Sequence, residues 1–174
     1  PTADEHSRWR LNMAERLENG KERFDRVIED KFVDSRDAYL KMLPRVKREI
    51  IKNHEKLHRE FDVSRRVKGS AGRRTIAVKN CQKLRKRLIQ LFGRLYFKQK
   101  VIESLAVKAE DYYRETTGCL RQTATLRKAR KSRKQATHLR AEQQRLRRLE
   151  EELCMGHEEF LAKCRTLKEA MRKG

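Results

Sequence analysis

Helix breakers are scarce, with only two prolines and seven glycines in 174 residues. That scarcity, together with a near absence of strand-like alternation, excludes a β-rich fold and points to helices. Aromatic residues make up only 6% of the chain, too few for a large core built on rings. No apolar run approaches the roughly 18 residues that a membrane-spanning helix needs. The four cysteines, Cys81, Cys119, Cys154 and Cys164, sit at irregular spacing in a chain with no secretory signal. A disulfide framework is therefore not expected, and a reducing intracellular compartment is. The chain begins at Pro1 rather than Met, as a fragment of a longer protein would.

Charge is what the chain has in excess. Charged residues are 41% of the total, the net charge is +21 and the pI is about 10.3. The excess is uneven: residues 1–40 carry eight bases and ten acids, residues 41–149 carry 33 and nine, and residues 150–174 carry five and six. A basic middle of this size favours nucleic acid, an anionic membrane or an acidic polymer such as a microtubule surface. High charge with few aromatics is compatible with disorder or with long helices that bury a narrow stripe. Periodicity decides for helices.

The expected fold is all-α, with long amphipathic helices forming a coiled coil or an elongated helical bundle. Residues 1–68 read as a first helical segment, opened by a Thr2/Glu5 capping box, with apolar positions at Trp9, Met13, Leu17, Phe24, Ile28, Tyr39 and Met42 and a kink or restart at Pro44. Leu43, Val46, Ile50 and Leu57 continue the stripe. Gly69 to Gly72, with Ser70 between them, reads as a loop. Residues 73–174 read as basic, heptad-bearing helices, with either a weaker break near Gly118 or a continuous helix through it.

Two seams carry the expected helix association. The first runs through Ala77, Cys81, Leu84, Leu88, Leu91, Leu95, Ile102, Leu105, Ala109 and Tyr112 in 4-3 spacing, with only Lys98 out of place. The second repeats every seven residues at Leu139, Leu146, Leu153, Phe160 and Leu167. Its companion positions, among them Gln143, Glu150 and His157, are poorer, so the stripe is narrow. A continuous helix from Thr125 to Met171 would be a rod of roughly 70 Å.

Between Arg127 and Lys134 six of eight residues are Lys or Arg and none is acidic. Carrying the second heptad backwards puts Thr125, Ala129, Ser132 and Ala136 on the buried line and leaves Arg127, Lys128, Arg130, Lys131, Arg133 and Lys134 elsewhere on the wheel. These six, with Lys83, Arg85, Lys86 and Arg87, are the candidate anion-binding residues. Like charges at i,i+3 and i,i+4 cost a few tenths of a kcal/mol each, which an anionic surface would relieve.

Motifs for chemistry do not survive their context. The stretch HEKLH, His54 to His58, matches the zincin pattern HExxH, but Lys52, Lys56 and Arg59 crowd it and no downstream ligand follows. Cys154 and His157 are helical neighbours, while Cys164 is two turns away. Arg133 to Leu153 superficially resembles a bZIP protein, yet that family's basic region carries an Asn that reads bases and no Asn occurs after Asn80. Phosphate loop, nucleophile elbow and carboxylate pair are all missing, so neither catalysis nor a cofactor or metal is expected.

Asp37 to Leu57, DAYLKMLPRVKREIIKNHEKL, resembles the second helix of amphiphysin-type BAR domains at Asp37, Tyr39, Leu40, Pro44, Val46, Lys47, Ile50, Lys52, Lys56 and Leu57. The resemblance covers about an eighth of the chain and implies a crescent-shaped dimer on anionic membrane. The basic helices after Gly72 depart from that family's more acidic third helix.

Three functions remain. The favoured one is a non-enzymatic coiled-coil scaffold that docks on an acidic cytoskeletal surface, tubulin first, through its basic centre, and meets other helical proteins through its seams as a homo- or hetero-oligomer. A cilium or centrosome would suit it, and the nucleus stays open. The second is a BAR-like dimer on anionic membrane. The third is a nucleic-acid-binding helical subunit of a ribonucleoprotein or chromatin complex, with Tyr96, Phe97, Tyr112 and Tyr113 available for stacking.

Overall fold

The computed structural model describes residues 15–66, 70–128 and 132–173, without the side chains of Leu105, Met171 and Lys173. The chain is all-α: α1 (Phe24–Val27), a 3-10 turn (Asp30–Phe32), α2 (Arg36–Arg65), α3 (Ala71–Gly93), α4 (Gln99–Lys128), α5 (Arg133–Leu153) and α6 (His157–Lys173). Among the described residues no helix is long and apolar enough to cross a membrane. The chain divides into two compact units, residues 1–103 and 104–174.

The first unit is built on a helical hairpin. Ser35 starts α2, its Oγ accepting from the Ala38 N–H at 3.1 Å, with Asp37 in the first turn and Arg65 in the last to suit the helix dipole. Tyr39, Leu43, Val46, Ile50, Leu57 and Phe61 form its buried stripe. Pro44 neither starts nor ends this helix. It lies inside it, exposed, at the loss of one intrahelical hydrogen bond.

Ser70 caps α3, its Oγ accepting from the Arg73 N–H at 3.2 Å, so Ala71 and Gly72 are helical rather than part of a loop. Ala77, Cys81, Leu88 and Leu91 meet the stripe of α2. Antiparallel pairing is fixed at two levels: the Tyr39 hydroxyl donates to the Leu95 carbonyl at 2.8 Å, and Arg87 reaches Glu49 at 3.1 Å. Burial holds the Tyr39 phenol above its ordinary pKa, so the hydroxyl stays a donor.

Between residues 19 and 35 the expected helix gives way to a strap. After a helical turn at 15–18 the chain passes through turns, α1 and the 3-10 turn before α2 begins. The strap is clamped to the exit of α3: the Glu29 N–H donates to Tyr96 O and the Lys98 N–H to Val27 O, both at 2.8 Å, and Lys98 Nζ reaches Asp25 O at 2.6 Å. Phe32 stacks on Tyr96 at 5.8 Å. This clamp explains the misplaced lysine. Lys98 marks a helix end, with Tyr96 at φ 46°, so the first seam is interrupted between Gly93 and Gln99. The Thr2/Glu5 capping box, Trp9 and Met13 lie outside the described residues.

In the second unit α4 runs unbroken through Gly118, the continuous course that its sequence allowed. Its buried stripe is Tyr112, Thr116, Cys119 and Thr123. Tyr112 and Cys119 share a core with Leu149, Phe160 and Cys164, against which Leu146, Leu153 and Leu161 pack. Arg145 of α5 gives two bonds to Glu115 of α4, at 3.0 and 2.8 Å. Lys168 of α6 pairs with Glu110 at 2.8 Å and lies over the Tyr113 ring at 3.8 Å. All four cysteines are free and buried.

The expected rod is broken twice. At Ser132 the backbone is extended, φ −120° and ψ 157°, and Ser132 and Gln135 form the capping box that opens α5 at Arg133. At Cys154 the backbone turns left-handed, φ 46° and ψ 40°, and closes α5. Glu150 then caps the next helix, its Oε1 accepting from the His157 N–H at 3.0 Å and lying 2.6 Å from His157 Nδ1.

Candidate anionic-surface interface

Helix geometry sorts the cations that sequence density had grouped. In an α-helix residues at i, i+4 and i+7 share one face, so Lys79, Lys83 and Lys86 of α3 form a stripe roughly 10 Å long. Each is exposed. The buried line through Ala77, Cys81, Leu88 and Leu91 is on the opposite side. Among the described residues no carboxylate pairs with these three lysines. Arg87 is instead committed to Glu49, and Arg85 is half-buried and engaged within the fold. Thus Lys83 and Lys86 of the expected cluster point outward, Arg87 ties α3 to α2, and Arg85 is partly drawn into the fold.

The helix beneath the stripe is electrostatically frustrated. It has no acid anywhere, and its first turn carries Arg73 and Arg74, where a helix N-terminus favours negative charge. Lys79–Lys83 and Lys83–Lys86 are repulsive pairs at i,i+4 and i,i+3, each costing a few tenths of a kcal/mol. Packing of the apolar side of α3 on α2 outweighs this.

The second expected cluster is divided by the helix junction. Arg127 and Lys128 are exposed in the last turn of α4, where cations suit the dipole. Arg133 and Lys134 are exposed in the first turn of α5, where they do not. Arg130 and Lys131 lie outside the described residues. The run is therefore not one face of one helix.

The seam residues also divide. Leu88, Leu91, Leu95 and Phe160 are buried, while Leu84, Leu139, Leu146 and Leu153 are half-buried. Ile102 and Leu167 are 55% and 42% exposed in this chain. The side chain of Leu105 lies outside the described residues.

Lys79, Arg73 and Arg74 were missed by counting dense runs of bases. The informative signal was a lack: no acid occurs between Asp62 and Glu103, a span of 40 residues with thirteen bases. The residues that carry the BAR resemblance are largely internal to the hairpin. Tyr39, Val46, Ile50 and Leu57 are buried, and Lys47, 14% exposed, holds Glu18 at 2.6 Å. Lys52 and Lys56 are exposed.

The histidines of HEKLH meet edge to face, with ring centroids 4.6 Å apart. Cys154 Sγ lies 3.5 Å from the Glu151 carbonyl and His157 faces Glu150. Among the described residues no group of three or more His, Cys, Asp or Glu is placed to hold a metal ion. No family model, no curated protein and no solved structure matches the chain.

Proposed function

We propose that the chain is a non-enzymatic helical scaffold that docks on an acidic cytoskeletal polymer, a microtubule above all, and meets partner helices in coiled-coil fashion through its remaining apolar faces. The observation that carries this reading is the stripe Lys79, Lys83 and Lys86, exposed on a helix without a carboxylate. Arg127, Lys128, Arg133 and Lys134 supply a second contact. A row of fixed positive charge lowers the free energy of a facing acidic surface and speeds encounter with it, in a salt-dependent way.

The other anionic partners fit the same face less well. A helix that lies in a bilayer interface needs one continuous apolar face. On α3 the exposed Ile76 and Ile89 sit ~140° apart around the helix, with the lysines between them. Single-stranded nucleic acid is held by aromatic platforms among the bases, and the lysine stripe has no ring in it.

The test is co-sedimentation of the chain with stabilised microtubules, anionic liposomes and duplex nucleic acid at matched ionic strength, repeated at high salt. Salt-sensitive capture by microtubules, weakened at least about tenfold in the triple variant Lys79→Glu, Lys83→Glu, Lys86→Glu, supports the scaffold. Preference for liposomes would support the membrane reading instead. Capture unchanged in the triple variant would remove the stripe from the mechanism.

A further inference from the structure

Ser132 lies at the centre of the second basic cluster and is the N-cap of α5. It is exposed, and its backbone is extended at φ −120° and ψ 157°. Within four residues on either side stand Lys128, Arg130, Lys131, Arg133 and Lys134, and the surrounding stretch from Thr116 to Ala141 contains no acid. A kinase whose peptide groove is lined with carboxylates binds such a segment through charge complementarity on both sides of the acceptor. We infer that Ser132 is the phosphoacceptor of a basic-directed Ser/Thr kinase, and that its phosphorylation weakens docking of the chain on its acidic polymer. The second half of this inference rests on the function proposed above.

The other hydroxyls are less suited. Thr75, Thr117, Thr125, Thr137 and Thr166 lie inside helices and donate to carbonyls one turn back, a bond that esterification of the oxygen removes. Ser35 caps α2 between Asp34 and Asp37, which repel an acidic groove. Ser70 is the nearest competitor, with Arg66, Lys68, Arg73 and Arg74 around it, one cation fewer than Ser132.

At Ser132 the oxygen acts as an acceptor, receiving the Gln135 N–H at 3.2 Å. In the transfer, Oγ forms a bond to the γ-phosphorus of ATP, and the bond from that phosphorus to the β,γ-bridging oxygen breaks. ADP leaves, and the hydroxyl proton passes to a base of the kinase. The phosphoryl oxygens still accept from the first-turn N–H groups, and the helix dipole favours their charge. The modification therefore removes about two units of positive charge from the cluster without melting the helix.

The experiment treats the full chain with Mg-ATP and the catalytic domain of a Ser/Thr kinase that prefers Lys and Arg on both sides of its acceptor. The site is mapped by mass spectrometry, and both forms are sedimented with microtubules. Expected are a phosphate on Ser132 that is absent from Ser132→Ala, an unchanged or raised melting temperature, and about tenfold weaker sedimentation of the phosphorylated chain. The unphosphorylated Ser132→Ala chain should sediment like the parent. Phosphate entering at Ser70 or elsewhere with Ser132 unmodified overturns the acceptor assignment. Phosphate on Ser132 with sedimentation unchanged overturns the switch and leaves docking standing. If neither form sediments, the docking function fails with its switch, and the mapped site alone decides the acceptor.

Discussion

The two units solve the same problem, burying a narrow stripe of a very charged chain, in different ways. The hairpin of the first buries Leu43, Val46, Ile50, Leu57, Phe61, Leu88, Leu91 and Leu95, a nearly pure hydrocarbon line. The second buries Tyr112, Leu149 and Phe160 together with three cysteines, Thr116, Thr123 and Glu150. The hydroxyls of Thr116 and Thr123 find no hydrogen-bond partner there. An apolar stripe is stabilised by area removed from water and tolerates frustration on its outer face. A polar-laced stripe depends on each polar group meeting its partner. The first arrangement suits a helix that must hold unpaired lysines outward.

The largest effect should come from putting a charge into the hydrocarbon line. Leu91 is 1% exposed, and Leu91→Asp removes its packing and buries a carboxylate, a loss of about 4 kcal/mol or more. Amide exchange should show protection lost across α2 and α3. Protection retained there would mean the hairpin is not held by this line.

Next in size is the polar keystone of the second unit. Glu150→Ala leaves the start of α6 without its cap and should cost about 1–3 kcal/mol in thermal or denaturant unfolding. Glu150→Gln keeps an acceptor and should recover part of the loss. An Ala variant as stable as the parent would show that the turn at Cys154 holds α6 unaided.

A smaller difference should appear in alkaline solution. Burial, and after it the neighbouring Glu142 carboxylate, push the Cys119 thiol from its ordinary 9.0 up to about 11. Because the folded pKa lies above the unfolded one, the thiol's contribution to stability is complete below about pH 9 and is lost as pH rises through 11. Unfolding midpoints measured across that window should fall less steeply for Cys119→Ala than for the parent. Parallel curves would mean that Cys119 ionises equally in both states.

The smallest effect has the opposite sign. Thr123→Val keeps the shape of the side chain and removes a buried hydroxyl without a partner, so stability should hold or rise by up to about 1 kcal/mol. A loss larger than that would show the hydroxyl to be satisfied in solution, and the contrast between the two cores would shrink.

Much of the fold was legible in the residues. The stripe from Leu43 to Leu57 and the line from Ala77 to Leu95 are the buried faces that their spacing implies. Breaks were less legible, because a 3.5-residue period can continue in sequence across a point where the backbone has turned. Leu153 and Phe160 keep their seven-residue step on either side of the left-handed Cys154. Lys98, the one misfit in its seam, was the visible sign of such a point. In the basic region, the run from Lys83 to Arg87 counted charges without direction, so it included Arg85 and Arg87 and passed over Lys79.

Helix formation depends on neighbours within about four residues, and net charge depends on composition alone. The sequence by itself therefore determined that this protein is all-α, that it is strongly basic and that its apolar residues fall in narrow stripes. Where the helices end, and which cations face solvent, was decided by the tertiary structure. Lys98 is stopped by Val27 and Asp25, and Arg87 is neutralised by Glu49. Those partners lie tens of residues away in the chain, where no local pattern reaches and only packing brings the groups together.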